Sequence, residues 1–558
     1  MTTPFSDEEI QDITDRVAVV REHLQTGKLF IAEHLVEGFL QSLASIQLLP
    51  DGRVNPASVD GRIRSTGMMV RFLKERDEAK RSISIAKIQE TYFTFLFHQL
   101  GWVYEHMMRN GASPAQVASR VAQNPEMVST IYKGLPEMAA LLREFWGSVS
   151  DVGAWHLQDS TQLKATFAGD LFPGHTRNVV STAGLYIDTV VLPCPFIRIA
   201  PLLNSTMPPE RLVEMLLKHV LTAMTYRDVA LAEVDLPIAV VLPNSGDLGV
   251  DGRTEVFERS HHAILKHAQY LFGREFGSVD HLAAFCGELA TVDQVMNELK
   301  RPDRLLFATE WESRDPREQL IRAMREQSPQ PRGMDTSVAG NHVLGTCLGR
   351  MPQAMAAREN GSQVGGVPLI HAETSWLYYT WLLEYEAATL DVVQAEGVHV
   401  ARALVAEREQ NLDWLGNVPS QAVIDIRKSG LAEEVREILG NGVGDLVRTN
   451  PNNFFRTADR VVENIDLAFR EHERLLAEAR NKKLKLYGLD VPACLATGVI
   501  GVAAALTSNI PLGVASALLG VAGLPNLKDL KSRHGELAAE ERKRRESPAG
   551  LLFRHLKR

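Results

Sequence analysis

The chain has 558 residues, 45% hydrophobic and 23% charged, with a formal net charge of −9. Those values exclude a disordered, collagen-like or disulfide-dense chain and suit a globular protein of about two to four domains. The four cysteines, Cys194, Cys286, Cys347 and Cys494, are widely scattered and form no C-x-x-C pair, so neither a zinc knuckle nor a disulfide scaffold is expected.

The first residues, Met1 to Glu9, are acidic and hold no apolar run, so no secretory signal is read there and a reducing cytoplasm is expected. Residues 1–150 read as a helical N-terminal domain. Ser6 stands three residues before Glu9, a capping-box spacing, and opens a helix over Asp7–Gln25. A second amphipathic run covers Lys28–Leu49, and a polar stretch follows to about Ser65. Ser82–Asn110 is apolar, with Tyr92, Phe93, Phe95, Phe97, Trp102 and Tyr104. Such an aromatic stripe is read as core rather than as a ligand box. Ser113-Pro114 and Asn124-Pro125 each pair an N-cap with a proline at the first helical position.

Residues 151–250 read as a small α/β element. Gly184–Pro193 and Leu236–Pro243 are apolar, rich in valine and isoleucine, and bounded by Gly or Pro, as strands are. Between them, the run from Pro209 to about Val229 puts Leu212, Val213, Leu216, Leu217, Val220 and Met224 on one helical face. Strand, helix and strand at this spacing predict a parallel crossover, whose ligands gather beyond the carboxyl ends of the strands. Asp188, inside the first predicted strand, needs a partner there. Either it joins a site with Asn244, Ser245 and Asp247, or it has a structural role, paired with a nearby arginine such as Arg177 or facing solvent on a sheet edge. The second alternative is favoured.

Residues 251–327 read as a helical segment, with helices over Glu255–Phe272, Val279–Leu299 and Asp315–Gln327. Residues 328–368 carry seven glycines and four prolines and read as a loop or hinge. Residues 369–487 read as a helical domain. It opens at His371 and Glu373 with an aromatic helix and ends in a long amphipathic run, Phe454–Lys485.

Residues 488–527 form the most distinctive stretch. From Val491 to Leu527, 37 residues include no Asp, Glu, Lys, Arg or His. Asn509-Ile510-Pro511 divides them into two short arms, each below the about 20 residues of a lone span. Small residues, among them Gly501, Ala504, Ala505, Gly513, Ala517 and Gly520, recur along both arms and allow close helix approach. Pro511 suits the first turn of the second arm. Lys482, Lys483 and Lys485 precede the stretch. The basic tail, 528–558, carries Arg542, Lys543, Arg544 and Arg545. Residues 481–558 hold 13 Lys and Arg against 6 Asp and Glu, a net of +7, which leaves −16 for residues 1–480. Basic flanks on both sides fit a hairpin entering from the cytoplasmic face. In outline the charge-free hairpin resembles that of channel-forming colicins, over these 37 of 558 residues. The resemblance implies a helical pair able to enter a bilayer, and no family is assigned to the chain.

Searches for chemistry return little. There is no G-x-x-x-x-G-K-[ST], no H-E-x-x-H, no G-x-S-x-G and no G-x-G-x-x-G opening a helix. His262 and His267 are five apart, off a shared helical face, so no metal is expected, and no cofactor either. Catalytic residues are not identified; the candidates are Asp188, Asn244, Ser245, Asp247, His371 and Glu373. The expected fold is predominantly α-helical and multi-domain, with the parallel element at about 184–243 and the C-terminal hairpin. The favoured function is a cytoplasmic protein that associates with or inserts into the inner face of a membrane through the hairpin, as a conditional membrane-disrupting effector. The alternatives are a soluble scaffold with the hairpin as core, and an enzyme with a site near the 184–247 crossover. The expected partner is an anionic membrane surface or a protein; nucleic acid on the basic tail is not favoured.

Overall fold

A computed structural model describes residues 5–385, except 28, 176–177, 185–186, 205–206, 249–251 and 327–333, together with residues 420–430. The long amphipathic run, the hairpin with its basic flanks, and the tail lie outside the described residues. Within them the protein is predominantly helical and holds one small parallel sheet. No described helix is long and apolar enough to cross a membrane.

The described chain divides into two units, residues 1–88 with 151–159, and residues 89–150 with those from 160 onward. In the first unit, helices Asp7–Gln25, Glu33–Ala44 and Gly61–Ser82 enclose Ile13, Val17, Val20, Phe39, Leu43 and Ile63. The capping box forms as the spacing predicts: the Glu9 amide donates to Ser6 Oγ at 3.2 Å and the Ser6 amide to Glu9 Oε2 at 2.8 Å. The Gly61–Ser82 helix begins inside the stretch read only as polar. Its periodicity is weak because only Ile63, Gly67 and Val70 are buried. Gly67 lies on that face because a Cβ there would stand 2.7 Å from Arg16 Cβ.

The second unit contains the sheet. Its strands are β1 (Lys164–Ala168), β2 (Thr189–Leu192), β3 (Ala239–Val241) and β4 (Val367–Ile370), all parallel, in the order β3-β2-β1-β4. The expected crossover is present. Val190 pairs with Ala239, Val191 with Val240 and Leu192 with Val241, and the Pro209–Met224 helix lies between these strands in the chain. All six of its predicted apolar residues are buried. Strands buried on both faces read as short apolar runs, which is why β2 and β3 are visible in the sequence. β1 escapes the same reading because Lys164, Ala165 and Ala168 dilute its β signal. β4 escapes it because Pro368 sits inside the strand. Proline is tolerated there because β4 is an edge strand, paired only with β1. At the other edge, the Gln89 side chain acts as a substitute strand: its Nε2 donates to Val241 O at 2.9 Å, and the Val241 amide donates to its Oε1 at 2.7 Å.

The described part of 328–368, residues 334–368, is not the expected loop or hinge. Ala339–Gln363 is one helix of 25 residues, and Val367–Ile370 is β4. Gly340 and Gly366 serve close approach. A Cβ on Gly340 would stand 2.0 Å from Cys286 O, and one on Gly366 would stand 2.6 Å from Lys164 O. The helix Pro125–Gln158 runs through the boundary expected at 150.

Candidate functional site

Because all four strands are parallel, their carboxyl ends share one edge of the sheet. From β1 the chain steps to β2 and then β3 on one side, and β4 lies on the other side. The order therefore reverses between β1 and β4. Such a switch point opens a crevice outside the carboxyl ends, where parallel α/β sheets bind ligands.

Gly169 and Asp170 leave β1 at this point, and His371 and Glu373 leave β4. Gly169 has φ +82°, which disfavours a side chain. A Cβ there would also stand 2.9 Å from both Ile370 Cγ2 and Ser375 Cβ. Ser375 Oγ donates to Gly169 O at 2.9 Å, tying the β1 turn to the Glu373–Tyr385 helix. His371, partly buried, meets the Phe167 ring of β1 edge-on at 5.5 Å between centroids. Glu373 sits in the first turn of its helix, half-exposed, with Arg314 Nη2 at 3.2 Å. A carboxylate suits that helix end electrostatically.

The loop that supplies Arg314 is held in place by buried polar groups. Gln319, 1% exposed, accepts from the amides of Phe307 (2.8 Å) and Ala308 (3.1 Å) and donates to the carbonyls of Ala308 and Ser313. The Thr309 amide donates to Thr374 Oγ1 at 2.8 Å, and Tyr378 Oη donates to Leu306 O at 3.0 Å. The Glu310-Trp311-Glu312 segment lies on this loop, with Trp311 stacked on Phe307 and capped by Arg322.

Toward β3 the same edge is held by Arg198. Its Nη1 donates to the carbonyls of Asp170 and Leu171, and its Nε donates to Asp247 Oδ2 at 3.2 Å. Asn244 Nδ2 donates to that same oxygen, also at 3.2 Å. Arg198, on the Pro195–Ile199 helix after β2, thus ties together the segments that leave β1 and β3. Cys194, directly after β2, is buried with Tyr92 Oη 3.8 Å from its sulfur; burial raises the pKa of this thiol and makes it a poor nucleophile. His219, on the Pro209–Met224 helix, packs beside Phe172 with ring centroids 6.1 Å apart. Its Nδ1 is buried with no hydrogen-bond partner. Burial first, then the nearby Lys218 and His175 charges, lower its pKa to about 4.

The candidate residues are therefore divided. Asn244 and Asp247 meet after β3; His371 and Glu373 both follow β4 on the same edge but at its other end, three strand spacings or about 14 Å away. The Ser245 side chain lies outside the described residues. Asp188 does not join them. It precedes β2 at the opposite, amino edge, where its carboxylate forms a buried ion pair with Arg427. The expectation that Asp188 pairs with an arginine holds, with Arg427 as the partner found. Gly169, Arg198, His219, Gln319 and Ser375 were missed, since none lies in a motif and their neighbours come from distant chain segments. His267 is buried in the core: its Nδ1 lies 2.8 Å from Tyr385 Oη, its ring stacks on Trp381, and burial followed by the Arg304 charge lowers its pKa to about 3. No cluster of three metal-ligating side chains occurs among the described residues. No family model, curated protein or solved structure matches this chain.

Proposed function

We propose that the folded body binds a small polar molecule at the carboxyl edge of its sheet, in the crevice between β1 and β4. The supporting observation is the reversal of strand order at that crevice, beside His371, Glu373 and the backbone of Gly169 and Asp170. A thermal-shift panel of nucleotides and carboxylated or phosphorylated metabolites, run on the full chain, tests it. A stabilising compound should lose its effect in His371→Ala and in Glu373→Gln and keep it in Val423→Ala, at the other edge. A compound whose effect survives both carboxyl-edge changes binds elsewhere and overturns this reading.

The charge-free stretch from Val491 to Leu527 supports a second reading. In it the hairpin brings the protein to the inner, anionic face of a membrane, with the basic flanks on the headgroups. The conditional effector role belongs to this reading. Flotation with anionic liposomes tests it, using the full chain, Ala504→Asp and a chain ending at Lys485. Binding should vanish in both variants while both remain soluble and helical. A full chain that does not float would move the assignment to a soluble scaffold.

A further inference from the structure

We infer that the helix Ser420–Lys428 is a detachable latch on the amino edge of the sheet. It is the only described element after residue 385. Nine residues are too few to hold a helix in water unaided, so its order depends on where it docks. It docks against the segment leading into β2. Ala422, Val423, Ile424 and Ile426 are buried, and Val423 Cγ1 stands 3.1 Å from where a Gly184 Cβ would be. The catch is Arg427. One terminal nitrogen pairs with Asp188, and the other donates to Ile187 O at 2.6 Å and Gly184 O at 3.1 Å. Asp188 in turn accepts from the Leu163 amide at 2.8 Å, which fixes the carboxylate against the entry to β1.

The two members of this ion pair lie 239 residues apart in sequence. The docking residues Gly184, Ile187 and Asp188 lead into β2, whose register is set by β1 and β3, with no help from residues 420–430. The body can therefore keep its strands while the latch leaves.

Hydrogen–deuterium exchange on the full chain tests the inference. In the wild type, amides of 420–430 should exchange through a local opening, faster than those of β1, β2 and β3. In Arg427→Met, exchange of 420–430 should rise by about a hundredfold or more, since unpairing a buried charge is costly. The strand amides should keep their ranking above the latch. Asp188→Asn/Arg427→Met removes the stranded charge, so its latch should stay open while strand protection returns toward the wild type. Val423→Ala, which keeps the ion pair, should speed latch exchange by a smaller factor and serves if the charge variants do not fold. Latch and strand amides that exchange at one common rate, in the wild type and in Val423→Ala, would make the helix an integral part of the core and overturn the inference.

Discussion

The two edges of the parallel sheet use the same chemistry for different ends. Each places an arginine against an aspartate and two backbone carbonyls: Arg427 with Asp188 at the amino edge, Arg198 with Asp247 at the carboxyl edge. At the amino edge the side chains are 9% and 6% exposed; at the carboxyl edge they are 16% and 15% exposed, and Asn244 shares the aspartate. The first pair is sealed by apolar residues of the Ser420–Lys428 helix. The second is partly open, on the same edge of the sheet as His371 and Glu373. The difference teaches that a carboxylate near a strand marks a site only if the edge it faces stays accessible.

Four measurements would break or sharpen the contrast. The largest effect is expected at the sealed edge. Arg427→Met strands a buried carboxylate and should lower unfolding free energy by about 3–5 kcal/mol in chemical denaturation; a loss under 1 kcal/mol would mean that water reaches the pair. Next is the acid limb. His219 and His267 stay neutral in the fold, with pKa values lowered to about 4 and about 3, whereas the unfolded chain takes up protons near 6.5. Stability should therefore be full above about pH 6.5 and fall as the pH drops toward 4. His219→Gln should remove on the order of 2–3 kcal/mol of that fall, measured as the difference in stability between pH 7 and pH 4.5. An unchanged acid limb would show that His219 is already solvated.

Third, Arg198→Ala leaves Asp247 its bond from Asn244 and should cost only about 1–2 kcal/mol. It should weaken any compound bound at the β1 and β4 ends by loosening the Asp170 turn, which a titration of the variant would detect. A loss as large as that of Arg427→Met would erase the distinction between the edges. The smallest effect belongs to Glu373→Gln. Its pair with Arg314 is half exposed, so stability should change by no more than about 0.5 kcal/mol. Calorimetry of the folded variant would then assign a loss of ligand binding to the site alone.

Several features were legible in the residue order because their causes are local. Ser6 and Glu9, Ser113 before Pro114, and Asn124 before Pro125 cap helices within a few residues of themselves. β2, β3 and the helix between them follow from burial on both strand faces and on one helix face, which leave short-period patterns. A buried aspartate's need for a cation also follows from elementary electrostatics, and Asp188 meets it. What the sequence by itself determined is therefore the helical character of the chain, its crossover, and the charge-free C-terminal stretch as a composition. Tertiary structure alone decided the rest. β4 contains a proline and is a strand only because it lies at an edge beside β1. The glycines of 339–363 look like loop punctuation until the approach of Cys286 explains Gly340. Arg427 is 239 residues from Asp188, and His371 is 201 residues beyond Asp170 in the chain. No window of sequence carries such pairings, because only the packed sheet makes those residues neighbours.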